Sequence, residues 1–524
     1  MIGRRAWPGV CAMLVLVLAL LAGAASAGAQ PPGALDSGFG SGGVVNVSAQ
    51  LLAVAVQPNG EIVAAGQSGG AVFVERLDPA GHPDGSYTGP SGYARGAAVG
   101  PDGKIVIAGA SGGAMFVERL TSGLTPDGGF GSHGIAKAFA GAFQPAAHAV
   151  ALQPDGGIVA AGTVNDQVGV ARFSSSGGLE WSRGVSSGPR SAADGVAAQP
   201  ADGKIVLVGH QTPSGETNGI LTRLNPDGSL DAGFAGGTVY AYRYPGGGYT
   251  TFNSVALQTN GDIVTGGVAV AATNYALFAR FNPDGSFETG FGHGGVTAVP
   301  APMNVQTPGD AIGAYGVAIA GGGRIVSAGS FENTGVEVDA AQYALTPNGT
   351  PDPTFGSGGT ARGPSGAVEA CAFAVAPDGS LIAVGDTVTS FPDFTPCTVR
   401  PSAQGFVSRR IGYGPPPAGG SGGPGSGSAP DVSTGGAGGV TEVAATVRGQ
   451  VNPDSLPTTF HFDYGTSRSY GSSTPAGMLS AGSTAARIST RLTGLRPATR
   501  YHYRLVATNA DGTRYGADHT FTTT

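Results

Sequence analysis

Gly195-Val196-Ala197-Ala198 leads into Pro200-Ala201-Asp202-Gly203 and then Lys204-Ile205-Val206-Leu207-Val208-Gly209. After a polar stretch come Ile220-Leu221-Thr222-Arg223-Leu224, Asn225-Pro226-Asp227-Gly228, Leu230-Asp231-Ala232-Gly233-Phe234 and Thr238-Val239-Tyr240-Ala241. Four short runs rich in β-forming residues each end on a turn signal, and none shows the 3.6-residue period of a helix. In Pro-Asp-Gly, Pro presets the first turn angle and Asp accepts local hydrogen bonds. Gly takes the left-handed conformation that a bulged hairpin needs. The stretch reads as a four-stranded antiparallel meander.

The same text recurs. Its turn glycines are Gly60, Gly103, Gly156, Gly203, Gly261, Gly323 and Gly379, spaced 43, 53, 47, 58, 62 and 56 residues apart. Such a period marks one supersecondary unit stacked many times. One four-stranded sheet cannot bury both faces, whereas sheets arranged radially cover one another and leave only short edges. The expected fold is all-β, with residues 34–412 forming a seven-bladed β-propeller of four-stranded meanders; an open β-solenoid is the alternative. Leu35-Asp36-Ser37-Gly38-Phe39-Gly40 and Val44-Val45-Asn46-Val47 form the tail of a repeat placed before the first complete one. That strand could complete the last blade, and residues 406–411 are a second candidate for the same place.

Composition narrows the function. Charged residues are 12% of 524, and 27 basic against 34 acidic residues leave a net charge of −7. A nucleic-acid binder would carry a basic face, so that class is excluded. At the N-terminus, Arg4 and Arg5 precede the apolar run 10–21 and the small residues Ala25-Ser26-Ala27. This is the pattern of a secretory signal over residues 1–29, so the mature chain is expected to be secreted, without membrane insertion after cleavage, and free or held at the cell surface. Cys371 and Cys397 then share the last repeat in an oxidising compartment, and a disulfide between them is expected, with two buried free thiols as the alternative. Two cysteines with no nearby His pair do not make a zinc site.

Residues 413–439 open with Pro415-Pro416-Pro417 and continue as Gly419-Gly420-Ser421-Gly422-Gly423, a flexible linker by composition. Strand signals resume over 445–451, 459–464, 486–492, 501–509 and 519–523. Leu495-Arg496-Pro497-Ala498-Thr499-Arg500-Tyr501 reads as the corner before a strand. Residues 440–524 therefore resemble a fibronectin type III domain. The resemblance makes Tyr501 the tyrosine-corner residue, its hydroxyl returning to backbone.

The repeats are similar to the delta-60 repeat of exported bacterial proteins. Arg223 through Asp231 matches the second half of that motif, and Arg280 through Glu288 nearly so; Gln153 through Val159 and Gly100 through Val106 match the first half. The resemblance covers almost all of 34–412 and implies a structural repeat with no defined activity. The third and seventh repeats depart from the motif in their second halves.

Arg76, Arg119, Arg172, Arg223, Arg280 and Arg400 fall at one repeat position, which Ala344 occupies in the sixth repeat. An acid stands three residues before an aromatic in Asp36/Phe39, Asp84/Tyr87, Asp127/Phe130, Asp231/Phe234, Glu288/Phe291 and Asp352/Phe355. The architectural reading has Phe plugging between blades and Arg pairing with the acid. The alternative is a ring of Arg attracting an anionic ligand at one mouth of the channel.

No catalytic, cofactor-binding or metal-binding motif stands out. The eight His show no metal spacing and read as surface or turn residues, and no P-loop or nucleophile elbow is present. The expectation is a non-catalytic, monomeric binding or scaffold protein without cofactor, engaging an extracellular protein, cell wall or polysaccharide. An extracellular hydrolase or lyase and a purely structural envelope protein are the alternatives.

Overall fold

The computed structural model describes residues 30–271, 273–300, 313–332, 338–364, 369–387, 397, 399, 404–413, 430–453, 458–468, 470–474, 477–479, 485–509 and 512–524. The expected signal at 1–29, Arg400 and most of the expected linker lie outside them. Among the described residues no helix is long and apolar enough to cross a membrane.

The fourth repeat folds as the meander Ser191–Ala198, Ile205–Gln211, Asn218–Leu224 and Tyr240–Tyr242, paired in that order. Its first turn closes when the Gly203 amide donates to the Gln199 carbonyl at 2.9 Å, with Gly203 at φ +68°. The second strand is apolar on both faces, and Ile205, Val206, Leu207 and Val208 are all buried. A strand covered by a neighbouring sheet on each side has no solvent face, so the usual alternation is lost.

The other repeats build equivalent sheets. Ala146–Leu152, Tyr249–Leu257 and Gly313–Ala320 begin three of them as first strands. The first two repeats share the long strand Pro83–Val99, so they form one seven-stranded sheet beginning at Gln50–Val56. That strand pairs first with Ala71–Leu77 and then, from Gly92 to Val99, with Ile105–Ser111. The last sheet runs Glu369–Val375, Leu381–Asp386, Gly405–Arg410, with Val44–Val47 on its outer edge. The N-terminal strand therefore completes the last repeat, and 405–410 is that repeat's third strand.

Each first strand packs against the first strand of the next repeat, and Glu369–Val375 packs against Gln50–Val56. The series closes on itself, unlike a solenoid. Between neighbouring sheets lie apolar layers; one gathers Val206, Val208, Phe234, Phe252, Leu277 and Phe281. Phe39, Phe130, Phe234, Phe291 and Phe355 are all fully buried in such layers, each contributing about 2–3 kcal/mol of burial.

The C-terminal unit has one sheet of Asp431–Thr434, Ala444–Asn452 and Ala486–Thr493, and a second built on Thr458–Gly465 and Arg500–Asn509. Val447, Leu492, Phe462, Tyr503 and Leu505 fill its core. The Arg496 amide donates to the Tyr501 hydroxyl at 3.0 Å. Two boundaries differ from expectation. Asp431–Thr434 pairs with Gly449–Asn452 inside the span read as linker, where four residues beside glycines carry too little apolar pattern to register as a strand. Tyr413, also read as linker, stacks on Phe355 at 6.0 Å.

Candidate functional site

The Arg and acid positions are part of the frame. Arg223, on the third strand of its sheet, meets Asp231 at 2.7 Å, lies 4.5 Å over the Phe234 ring, and donates to the Pro283 carbonyl in the next repeat at 2.7 Å. Arg280 pairs with Glu288, covers Phe291 and donates to the Pro347 carbonyl at 2.6 Å. Arg119 pairs with Asp127 at 2.9 Å, covers Phe130 and donates to the Ser175 carbonyl. Arg76 pairs with Asp84 at 2.8 Å and donates to the Ser122 carbonyl. Each guanidinium thus fastens its own repeat to the following turn, and none of these four stands on an innermost strand.

Departures are compensated. Arg172 pairs with Asp155 and Glu180, while Trp181 Nε1 makes the forward bond to the Pro226 carbonyl at 3.0 Å. In the sixth repeat, where Ala344 stands, Arg324 comes from the adjacent strand to meet Asp352 at 2.8 Å. Asp84 keeps its ion pair, but Tyr87 lies in a strand, packs at the margin of the layer between the first two repeats and donates to Glu118 at 2.5 Å. In the seventh repeat the structural partner of Ile382 is Arg409, as Arg223 is of Val206. Arg409 meets Asp378 at 2.6 Å and Asp36 at 3.2 Å. Alignment on Arg400 fails because the last repeat's loop between its second and third strands is long, which shifts the count.

The chemistry lies on the innermost strands. Each carries a β-bulge at one place, and the bulged residues are Leu52, Arg95, His148, Asp194, Asn253, Tyr315 and Cys371. A bulge leaves one residue out of the ladder and re-aims its side chain. All but Leu52 are partly exposed although the residue before each on its strand is buried, so they face the space at the centre of the circle. The bulge presses the first strand onto the second: a Cβ at Gly209 would lie 2.0 Å from the Ala192 carbonyl oxygen, and Gly66, Gly109, Gly162, Gly267, Gly329 and Gly385 stand in the same crowding. The scaffold repeats; the residue it presents does not.

Two of these residues meet, and a histidine from a second strand joins them. His148 Nδ1 lies 3.1 Å from Asp194 Oδ1, and His210 Nδ1, from the second strand of the fourth sheet, 2.6 Å from Asp194 Oδ2. Their side chains are 13%, 18% and 32% exposed in the order His148, Asp194, His210. Burial alone would raise the Asp194 carboxyl, but the charge of His210 and the hydrogen bonds from both imidazoles hold it well below its ordinary value. Desolvation, with the nearby Arg95 charge, lowers His148. The Asp194 charge raises His210. An ionised Asp194 only accepts, so each ring donates Nδ1–H. Neutral His148 then presents a bare Nε2, and protonated His210 presents an Nε2–H. Desolvation of its hydroxyl, and secondarily the Asp194 charge, raise the pKa of Tyr249, which is 42% exposed over the whole residue.

Cys371 is bonded to Cys397, with Cα atoms 5.4 Å apart, and the Cys397 amide donates to buried Glu369 at 2.9 Å. These three side chains lie close together, but sulfurs joined to each other offer no thiolate to a metal.

His148 and His210 read from sequence as isolated surface or turn residues. The structure brings them onto one carboxylate from two sheets. A signal for the ring was present: counting back fourteen residues from the glycine of Ile-Val-x-x-Gly (Leu381-Ile382-Ala383-Val384-Gly385 in the last repeat) reaches Leu52, Arg95, His148, Asn253, Tyr315 and Cys371, and fifteen reaches Asp194, where Ala201 lengthens the turn.

A family model described as a domain of unknown function (DUF5122) beta-propeller matches residues 201–234 and 258–291, within the fourth and fifth repeats. With the closed series of four-stranded sheets, this defines the class: a β-propeller-like repeat protein. No curated protein matches the chain. Among solved structures it is similar to Sqt1 from Chaetomium thermophilum, at 13% identity over 77% of this chain and 94% of that one, TM-score 0.38. It is also similar to the PQQ-bound aldose sugar dehydrogenase from Streptomyces coelicolor, at 14% over 72% and 100%, TM-score 0.35. The sensor domain of the anti-sigma factor RsgI4 from Pseudobacteroides cellulosolvens matches at 19% over 18% of this chain and 88% of that one, TM-score 0.15. These likenesses are too distant to carry an argument about function.

Proposed function

We propose that the chain is a secreted, non-catalytic binding protein: a seven-bladed propeller whose central channel holds the ligand, followed by a fibronectin type III-like module that spaces or tethers it. The ligand is an extracellular polysaccharide, cell-wall component or protein. One observation carries this reading. The repeats keep their turns, and keep or replace by equivalents their Arg clamps and Phe plugs, yet at the bulge the sequence is Leu52, Arg95, His148, Asp194, Asn253, Tyr315, Cys371. A purely structural ring has no use for six different side chains at the one place aimed at its axis. A convergent set of polar and aromatic groups in a preformed concavity is what recognition needs.

A glycan and cell-wall binding screen of the full chain tests it, beside the Arg95→Met and Asn253→Leu variants. Binding that weakens in the variants supports the channel; no binding to any component leaves the structural envelope role in its place. A second reading rests on His148, which Asp194 orients with its Nε2 unprotonated, the arrangement of a general base. Chromatography of each bound polysaccharide after long incubation separates the two, since shortened or unsaturated products appear only if the channel is catalytic.

A further inference from the structure

Arg95 differs from the framework arginines described above. It makes no hydrogen bond or ion pair with any described residue, although the next residue on its innermost strand, Gly96, abuts Ala149 and Val150 beside His148, and its charge acts on both His148 and His210. An unpaired guanidinium is a planar fork of donors matched to a carboxylate. In the same cluster, on the far side of the Asp194 carboxylate that His148 also meets, stands a second donor, the Nε2–H of His210, whose ring is fixed by Asp194 at 2.6 Å.

We propose that Arg95 and His210 together bind a carboxylate group of the ligand, the carboxylate of a uronic-acid residue in an acidic polysaccharide. This rests on the channel reading above and names its ligand class. The charges favour a monoanion. Arg95 and protonated His210 supply two positive charges and Asp194 one negative, so one further negative charge brings the cluster to balance. A phosphate dianion would place its second charge against Asp194. Tyr249 adds an exposed aromatic face on the neighbouring sheet, suited to the apolar side of a sugar ring.

The groups facing His210 are Asp194 on its own sheet, His148 and Arg95 on the two preceding repeats, and Tyr249 beyond Asp194. Asp194 stays ionised, Tyr249 stays protonated, and His148, lowered by desolvation and the Arg95 charge, is uncharged through the neutral range, so His210 sets the pH dependence there. Its pKa is raised, so its donor is present at acid pH and is lost as pH rises through that raised value. Affinity therefore falls from acid to alkaline pH.

Calorimetric titration of the full chain with oligogalacturonate, a neutral galacto-oligosaccharide, free galacturonate and inorganic phosphate provides the test, at about pH 5.5 and about pH 8. Oligogalacturonate should bind more tightly at the lower pH, and Arg95→Met should weaken it by at least about tenfold. Arg95→Met removes no contact that holds the fold, so its melting temperature should match wild type. His210→Gln should flatten the pH dependence. Free galacturonate binding as tightly as the oligomer would keep the carboxylate site and replace the polymer by a small acid as its source. Equal binding by the neutral saccharide, stronger binding by phosphate, or an unaffected Arg95→Met would overturn the proposal. If no uronide binds while another glycan does so in a channel-dependent way, the carboxylate assignment fails and the channel reading stands; if nothing binds, both fail.

Discussion

Arg409 donates to the carbonyl of Pro79, 330 residues earlier in the chain. Arg223 makes the same contact with Pro283 at 2.7 Å across 60 residues, and Arg280 with Pro347 at 2.6 Å across 67. The step that closes the circle is therefore chemically the same as the steps along it, and the last repeat is fastened to the first by a bond and not merely by proximity. The edge strand Val44–Val47 adds its ladder to the same sheet.

Arg223→Met should lower unfolding free energy by about 2 kcal/mol, because it leaves the Asp231 carboxylate with Lys204 as its cationic partner and frees the next turn. Arg409→Met should cost about as much and also loosen residues 44–47. Urea denaturation gives the first quantity, and hydrogen exchange at the Val45 and Val47 amides the second.

Arg324 stands in for the arginine that Ala344 replaces, and Asp352 beneath it is only 2% exposed at its side chain. Arg324→Ala should cost about 3 kcal/mol by leaving that carboxylate with Thr354 and Tyr413 but no cation. Ala344→Arg in the same chain should restore part of the loss, since it rebuilds the arrangement of the other repeats. No rescue in the double variant would mean that Arg324 serves something other than Asp352.

Asp231 shows the sign of the acid response. Burial would raise its carboxyl, but hydrogen bonds from Lys204, the Gly233 amide and Arg223 hold it down to about 2, against an ordinary 3.8. The stability it adds is present above its unfolded value and is lost as pH falls through about 2. Asp231→Asn should therefore be destabilising at about pH 6 and nearly neutral at about pH 2, as read by thermal melts at both.

Gly209→Ala places a methyl 2.0 Å from the Ala192 carbonyl oxygen and should cost about 3 kcal/mol or more, since backbone on both sides must move. Gly128→Ala meets nothing within 4 Å and should stay within about 0.5 kcal/mol of wild type. Chemical denaturation of the two variants compares them directly.

Reduction of the Cys371–Cys397 bond should remove about 3.5 kcal/mol, by the loop entropy of its 26-residue separation. Non-reducing peptide mapping should recover the two cysteines in one cross-linked fragment, and melting with and without reductant gives the energy.

Much of the frame was legible because it is written in local chemistry. Pro-Asp-Gly turns, Ile-Val runs and the Asp-x-x-Phe spacing specify hairpins and plugs one repeat at a time. The span 413–439 was misjudged at both ends: Tyr413 and Asp431–Thr434 gain their order from distant partners, Phe355 and the strand Ala444–Asn452. The site was harder to read for the same reason. His148, Asp194 and His210 become neighbours only because two bulged sheets stand side by side, and a bulge has no strong residue signature of its own. Its trace is indirect, in the glycine of Ile-Val-x-x-Gly that must yield to the neighbouring backbone.

The most direct test of the channel as the binding site is photo-crosslinking of the full chain with a photoreactive oligogalacturonate, followed by peptide mass spectrometry. Label should fall on the peptides containing Arg95, His148, Asp194, Tyr249 and Tyr315, and excess unmodified oligomer should remove it. Label confined to the outer strands or to the C-terminal unit would contradict the account.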